Sequence, residues 1–477
     1  MTRELIQKRI RKSLNASWIE GLPSAVMLGI MDNFIIPLGL FLGASPKQIG
    51  ILVAVPHLVG SVAQLYAVPA VRAAGSRKHF LVSGAFLQAS FILPIAGIAY
   101  TRGAWTISFL IAVVAIYRVI GNFIGVAWGS LVSDYLPPQK RGDFFGWRAQ
   151  ITGVAGLVGI AGAGFFLYWM KQINPVLGFS LLFLSATVCR IISGMLMSGF
   201  IDLPHPESKQ NDFTFGMFLR RFRESNFVKF VLYVAGISFA THMAAPYFSV
   251  YMLRDLHFNY LAYAAVQFAS VTASLVAFPI WGRHADVVGN AKILKVTSVL
   301  IPGIPLLWLL SRNPIVLVLI ETFSGLIWGG FNLCAANFIY DAVSPGKRVR
   351  CLGYFNFING LAISCGSFLG GFLADKLPPT AGYRLLTLFL LSGLLRWIAH
   401  LFLSANFSEV RQETRHKISS LQLFFSVVGM RPLAGMDHEW NLFPSLVLRR
   451  TFDVEWLMKR LQDQPVPKEK KKNEPLS

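Results

Sequence analysis

Long apolar runs recur along this chain and decide what it can fold into. Twelve such runs, each able to cross about 30 Å of hydrocarbon as a helix, take up most of its 477 residues. Charged residues make up only 14% of the chain and the mean hydropathy is +0.54, a balance foreign to a soluble globule of this size. Because backbone polar groups inside a bilayer must be satisfied within the segment, the runs are predicted to be helices. We therefore predict an all-α polytopic membrane protein.

The predicted spans fall into two sets of six, separated by a polar stretch. The first set is Trp18–Phe41, Ile51–Val71, Phe80–Tyr100, Trp105–Val132, Ala149–Met170 and Pro175–Ile201. The second set is Phe227–Met252, Tyr260–Trp281, Ile293–Leu310, Pro314–Tyr340, Gly353–Leu373 and Leu385–Leu403. We number these predicted helices 1 to 12.

The net charge of +21 reflects 44 Lys and Arg residues against 23 Asp and Glu residues. The basic residues lie in short loops, mostly in every second loop and therefore on one side of the membrane. This distribution indicates membrane topology rather than a nucleic-acid surface. By the positive-inside rule both termini are expected in the cytoplasm. We expect the protein to span the plasma (cytoplasmic or inner) membrane, with membrane lipids as partners. The four cysteines (Cys189, Cys334, Cys351 and Cys365) show neither a disulfide framework nor a metal spacing.

An internal repeat is the most specific feature of the sequence. When the chain is shifted by 207 residues, the segment 134–165 meets the segment 341–372 with 11 identities in 32 ungapped positions. The shared residues include Asp134 with Asp341, Arg141 with Arg348, and several glycines. Since six spans separate equivalent helices, the two copies have the same orientation and are related by a pseudo-twofold axis along the membrane normal. The predicted architecture is two six-helix bundles.

The loop after helix 8 carries a recognisable signature. Gly282, Asp286, Gly289, Lys292 and Leu294 follow the order of glycine, acid, glycine and basic residue that is typical of the major facilitator superfamily of secondary transporters. The chain resembles this superfamily from about Trp18 to Ser404. The resemblance implies twelve helices around a central cavity, with loop charges that form a cytoplasmic gate.

Acid and arginine residues at the ends of helices 4 and 10 are the second part of that predicted gate. Asp134 and Arg141, like Asp341 and Arg348, are seven residues apart, similar to a pairing in sugar-type members. Such charges can pair across the bundles when one side is shut and separate when it opens. The alternative is that they only anchor loops at the headgroup level.

Two ionisable residues stand inside the predicted membrane region. Asp32 lies midway along helix 1 and Arg118 midway along helix 4, one turn before Asn122. Intramembrane charges are expensive and functional by default, and the resemblance implies that both helices line the cavity. A carboxylate beside an arginine can take or lose a proton as a solute competes for the arginine. The alternative is a permanent structural ion pair.

Further polar residues are expected on the cavity walls. Asp32 and Asn33 align with Thr241 and His242 of helix 7, and His57 of helix 2 aligns with Gln267 of helix 8. Helix 10 carries Glu321, Trp328 and Asn332. His242 can contact solute or proton, or simply pack through a hydrogen bond, and Trp328 can stack on a ring or fill space. Arg190 and Arg396, repeat equivalents on helices 6 and 12, are expected to be structural.

The predicted domains follow from these segments: a basic N-terminus (1–16), an N-terminal bundle (17–201), a linker (202–226), a C-terminal bundle (227–404) and a tail (405–477). No nucleotide-binding loop, zinc helix or nucleophile elbow is present, so no enzyme, cofactor or metal is expected. We predict a monomeric secondary transporter of a small organic solute, coupled to protons and working by rocker-switch alternating access. The alternative is a membrane sensor or assembly protein built on the same fold.

Overall fold

The computed structural model describes residues 3–101, 103, 105–203, 216, 225–343 and 348–410, with residues 3–6, 138–139 and 348–349 described by backbone alone. Twelve spans, α1 to α12, correspond to the twelve predicted helices. The N-terminal six are α1 (Arg3–Ile19 and Gly21–Phe41), α2 (Pro46–Ala73), α3 (Arg77–Ile98), α4 (Thr106–Asp134), α5 (Pro138–Ile173) and α6 (Pro175–Met197). The C-terminal six are α7 (Asn226–His242, Ala245–Val250 and a π-helical Tyr251–Asp255), α8 (Tyr260–Val288), α9 (Asn290–Leu300 and Gly303–Leu307), α10 (Pro314–Ala342), α11 (Arg348–Ala374) and α12 (Arg384–Leu403).

All twelve spans are long and apolar enough to cross a membrane. Large apolar side chains on their outer surfaces are exposed, such as Val158 at 62% and Phe402 at 73%, as expected of a surface solvated by lipid rather than water. Residues 201 and 408 lie beside the starts of α1 and α7, where Ile201 N donates to Ser13 Oγ and Ser408 N to Asn226 Oδ1. We call this the terminal side, and the opposite side the far side.

Local sequence explains where several helices begin. Ser45 caps α2 with a capping box to Gln48, and the side chains of Asn174, Asn259 and Asn313 cap α6, α8 and α10. These polar caps satisfy amide groups that have no partner in the first helical turn. Most helices extend a few residues beyond the predicted spans, because a helix continues past the hydrocarbon into the interface.

The two bundles repeat the same packing. Within the N-terminal bundle α1 packs on α5 and α6, and α4 on α2 and α3; in the C-terminal bundle α7 packs on α11 and α12, and α10 on α8 and α9. Across the interface α2 packs on α11 and α5 on α8. In the repeat α2 corresponds to α8 and α11 to α5, so the two interfaces between the bundles are equivalent. This symmetry confirms the repeat predicted from the sequence.

The interiors of the bundles differ. In the N-terminal bundle a buried carboxylate, Glu20 at 1% exposure, accepts from Arg148 at 2.9 Å, from Trp128 Nε1 at 2.9 Å and from Ser193 Oγ at 3.0 Å. Arg190, also buried, donates to Ser193. The C-terminal bundle instead holds stacked phenylalanine rings, with Phe230 centred 4.4 Å from Phe338 and 6.0 Å from Phe355, the last being the repeat position of Arg148.

Each bundle is tied at its end to its own third helix. Asp202, after α6, accepts from Ser76 at the start of α3, and Glu409, after α12, accepts from Ala291 N at the start of α9. These acids are separated by the repeat offset of 207 residues, and a negative charge at a helix start is favourable. The predicted basic N-terminus includes a helix whose Ile10 and Leu14 are buried against the N-terminal bundle. Most of the predicted linker and tail lies outside the described residues.

Candidate functional site

The two intramembrane charges meet in the N-terminal bundle. Arg118 Nη2 lies 3.0 Å from Asp32 Oδ1, and the two side chains are 32% and 44% exposed. Asn122 Nδ2 donates to the carbonyl of Gly60 at 2.8 Å, and a Cβ on Gly60 would lie 3.1 Å from Arg118 Cγ. The absence of a side chain at Gly60 therefore makes room for the arginine stem. The ion pair is accessible enough for a solute or a proton to reach it.

A side-chain hydrogen bond and a ring contact join the bundles near the middle of the helices. Gln267 Nε2 of α8 donates to Asn33 Oδ1 of α1 at 3.2 Å, and the rings of His57 in α2 and His242 in α7 are centred 6.3 Å apart. Asn33 aligns with His242 and His57 with Gln267 in the repeat, so the two contacts are pseudo-twofold equivalents. The structure thus brings together four of the predicted cavity residues, in pairs that the sequence alone did not indicate.

A cavity of about 540 Å³ lies in the C-terminal bundle among α7, α10 and α11. The predicted residues Thr241, His242, Trp328 and Asn332 line it, together with Asn356 and Asn359, which sequence reasoning missed. Thr241 Oγ1 and Asn359 Oδ1 are buried and have no hydrogen-bond partner in the described structure. Buried polar atoms normally have partners, and a bound solute or water can supply them here.

The cavity extends toward the terminal side, where Tyr340 and Leu352 line it. Glu321 does not line it, because its carboxylate accepts from Trp308 Nε1 of α9 at 3.1 Å. Asn356 and Asn359 are the signal that the sequence offered for the missed wall, since they are one helical turn apart on the helix equivalent to α5. Glu20 was missed too, although it is an ionisable residue within a predicted span.

The far side is closed by glycines that the repeat shares. A Cβ on Gly164 of α5 would lie 2.1 Å from Ala264 Cβ and 3.1 Å from the Tyr260 carbonyl of α8. On the equivalent seam, a Cβ on Gly371 of α11 would lie 3.2 Å from Gly50 Cα of α2. Toward the middle, Gly360 approaches Ser61 in the same way. Only glycine allows this approach, as at other close helix interfaces in membranes.

The predicted gate residues lie on the terminal side, and three of them hydrogen-bond within their own bundle. Asp134 accepts from Arg77 at 2.7 Å, and Arg141 Nε donates to the Leu136 carbonyl at 3.3 Å. Asp341 accepts from Asn290 at the start of α9, and Gly289 has φ of 84°, which favours glycine in this turn. Gly282 and the exposed Asp286 lie in the last turns of α8. The side chain of Arg348 lies outside the described residues.

We expect the replacement Asp134→Ala to destabilise the N-terminal bundle by about 3 kcal/mol, because Arg77 is 4% exposed and would keep a buried charge without its counter-charge. A thermal melt of the purified protein in detergent measures this loss. The matched control is Asp143→Ala, an exposed acid on the same side, for which almost no change is expected. Equal melting of the two variants would contradict the prediction.

No group of three or more histidine, cysteine or acidic side chains that could hold a metal ion occurs in the part of the chain that the structure describes. The described site therefore consists of an ion pair, contacts between polar residues of the two bundles, and a cavity without charged side chains.

Comparisons with known proteins agree with this geometry. A sequence model of the Major Facilitator Superfamily matches residues 230–449, whereas no curated protein matches the chain significantly. The fold is similar to that of the nucleoside transporter NupG, with 12% identity and a TM-score of 0.64 over 82% of this chain and 98% of that one.

Two further solved structures share the fold. The bacterial homologue of the human lysosomal transporter Spinster, in an inward-facing state, is 14% identical with a TM-score of 0.61, over 85% of this chain and 99% of that one. The bacterial homologue of the iron transporter ferroportin, also inward-facing, is 13% identical with a TM-score of 0.59, over 85% and 100%. The predicted resemblance is confirmed: the chain is an integral multi-pass membrane protein with the fold of these solved transporters.

Proposed function

We propose that this chain, which resembles the Major Facilitator Superfamily in sequence and fold, is a secondary active transporter of a small organic solute. The observation that carries the proposal is a midplane cavity with buried, unpartnered polar atoms, closed from the far side by two glycine seams related by the internal repeat. A site that is reached from one side at a time is what alternating access requires.

The seams support a rocker-switch mechanism. The two seams are pseudo-twofold equivalents. A single rotation of one bundle against the other therefore separates both seams at once and opens the far side. The gate residues on the terminal side (Asp134, Arg141, Gly282, Asp286, Gly289, Asp341 and Arg348) would then approach across the bundles. Charges that pair in only one of two states bias the equilibrium between them.

The Asp32–Arg118 pair supports coupling to protons. We propose that Asp32 is the residue that carries the coupling proton during the transport cycle. Partial exposure of both side chains is what exchange of this proton needs.

We expect Asp32→Asn to abolish the pH dependence of transport while leaving the melting temperature within a few degrees of wild type, because exposed ion pairs contribute only about 0 to 1 kcal/mol. Solute uptake by proteoliposomes with and without a pH gradient measures the coupling. The control is Asp375→Asn, an exposed acid at the far side, which should keep full pH dependence. Persistence of pH dependence in Asp32→Asn would exclude Asp32 as the coupling residue.

Transport itself is tested by a thermal-shift screen of solute classes followed by counterflow in liposomes. A ligand at 100 times its dissociation constant adds about 2.7 kcal/mol of stability, and a hit at this site should be lost in Arg118→Ala. Failure of every stabilising solute to exchange would contradict the proposal. From the loop charges we also propose a cytoplasmic terminal side, in a plasma membrane, and a monomer.

A further inference from the structure

We propose, resting on the transporter function above, that the cavity of the C-terminal bundle is the main solute-binding wall and that it takes an uncharged ring solute rich in hydroxyl or amide groups. The proposal names a chemical class for a site whose residues come from α7, α10 and α11. It separates this protein from carriers of organic anions or cations.

The lining is largely apolar, and its polar groups are uncharged. Its described residues include Thr241, Asn332, Asn356 and Asn359, with His242 as the one titratable imidazole, and include no aspartate, glutamate, lysine or arginine. Each asparagine amide offers two donors and an acceptor. Such groups match hydroxyl and amide groups, which likewise both donate and accept.

Charge complementarity argues against an ionic solute. A charge moved from water into a site without a counter-charge is strongly disfavoured. The ion pair on the facing bundle, Asp32 with Arg118, already neutralises itself at 3.0 Å. An ionic solute would have to break this pair to gain a partner, whereas a neutral solute can hydrogen-bond to it intact.

The shape of the wall favours a ring. Trp328 meets the edge of Phe331 with centroids 5.5 Å apart and an angle of 80°, and Phe355 lies on the same wall. On α11, Asn356 and Asn359 are one turn apart and so share a face. A ring with hydroxyl or amide groups on its edge can therefore lie on the aromatic rings and bind the amides at its rim.

Two buried polar atoms belong to residues of this lining. Thr241 is 9% exposed and its hydroxyl has no hydrogen-bond partner in the described structure, as is also true of Asn359 Oδ1. Buried donors and acceptors left without partners are unfavourable. Both residues line one cavity from neighbouring helices, so small side-chain movements on binding a polar solute can satisfy both atoms.

The test compares pairs of solutes that share a scaffold and differ by one charged group, using the full-length protein in detergent and in liposomes. Uridine is paired with uridine monophosphate, and phenyl glucoside with phenyl glucuronide, within a wider panel of neutral nucleosides, glycosides and cyclic amides. Stabilisation and exchange of neutral members, with their charged partners at least about tenfold weaker, are the expected result. Stabilisation by charged members alone, or by no neutral member, would overturn the assignment.

Variants locate the binding. Thr241→Val, which removes one hydroxyl at constant shape, and Asn359→Ala are each expected to weaken binding of the best neutral probe about threefold to tenfold. The matched control is Thr297→Val, whose hydroxyl bonds within α9 at the Ile293 carbonyl, and it should bind as wild type does. Wild-type affinity for the probe in all three variants would overturn the assignment of this cavity as the binding site. Exchange of charged solutes alone would overturn the class but uphold transport. Binding of a neutral probe without exchange would uphold the site but contradict transport.

Discussion

Replacing Gly164 by leucine is expected to hold the far side of the protein open. The new side chain would start 2.1 Å from Ala264 Cβ, in a seam where the Tyr260 backbone is also close. Overpacking of this kind costs about 1 to 3 kcal/mol in a core, and only the state closed at the far side carries that cost. Since about 1.4 kcal/mol is a factor of ten in an equilibrium, the relative population of the closed state should fall roughly fivefold to 150-fold, and transport should slow.

The change is measurable without knowing the solute. Ser367 is fully buried beside Gly50 in the other seam, so a cysteine placed there in a background free of the four native cysteines becomes accessible to a membrane-impermeant maleimide only when the far side opens. Gly162→Leu is the matched control, because a Cβ on Gly162 of the same helix meets nothing within 4 Å. Equal labelling in the two variants would show that the seam is not the closing surface.

Replacing Glu20 by glutamine is expected to cost about 3 to 5 kcal/mol of stability. The carboxylate is buried among Arg148, Arg190 and Ser193, with Arg148 also lying 4.0 Å over the ring of Trp128. Glutamine keeps the shape but leaves the two guanidinium groups without their counter-charge. Breaking a buried ion pair from one side is far more harmful than removing both partners.

A thermal melt in detergent checks this, with Asp255→Asn as the control. Asp255 pairs with Arg254 at 2.8 Å, where the arginine side chain is 42% exposed, so about 0 to 1 kcal/mol is expected there. The double variant Glu20→Gln with Arg148→Met should recover part of the loss, because it removes one unpaired charge. If Glu20→Gln melts as the Asp255 control does, the cluster does not stabilise the bundle.

The architecture could be predicted from sequence because each span is an apolar run of membrane-crossing length, and because equivalent residues of the two halves recur at a nearly constant offset. The eleven identities around the ends of helices 4 and 5 and of helices 10 and 11 marked glycines that the structure places in tight contacts, including Gly164 and Gly371. Prediction from such patterns succeeds here because an apolar segment that crosses lipid can hardly adopt any structure other than a helix.

Side-chain partners were harder to predict, since they depend on helix rotation. Asp32 and Arg118 were placed at one depth, and they do meet. Glu321 was expected in the cavity, yet a rotation about the axis of α10 turns it toward Trp308. Asp134 contacts Arg77 because the start of α3 lies beside the end of α4, a neighbour relation that sequence spacing does not reveal.

The acids that follow α6 and α12 each bind the end of one half of the protein to the third helix of that same half. Asp202 fastens the end of the first half to the start of α3, and Glu409 fastens the end of the second half to the start of α9. Neither contact uses a residue of the other half. Each half therefore ends on a contact within its own bundle, and we expect the two halves to assemble into one protein when they are expressed as separate chains.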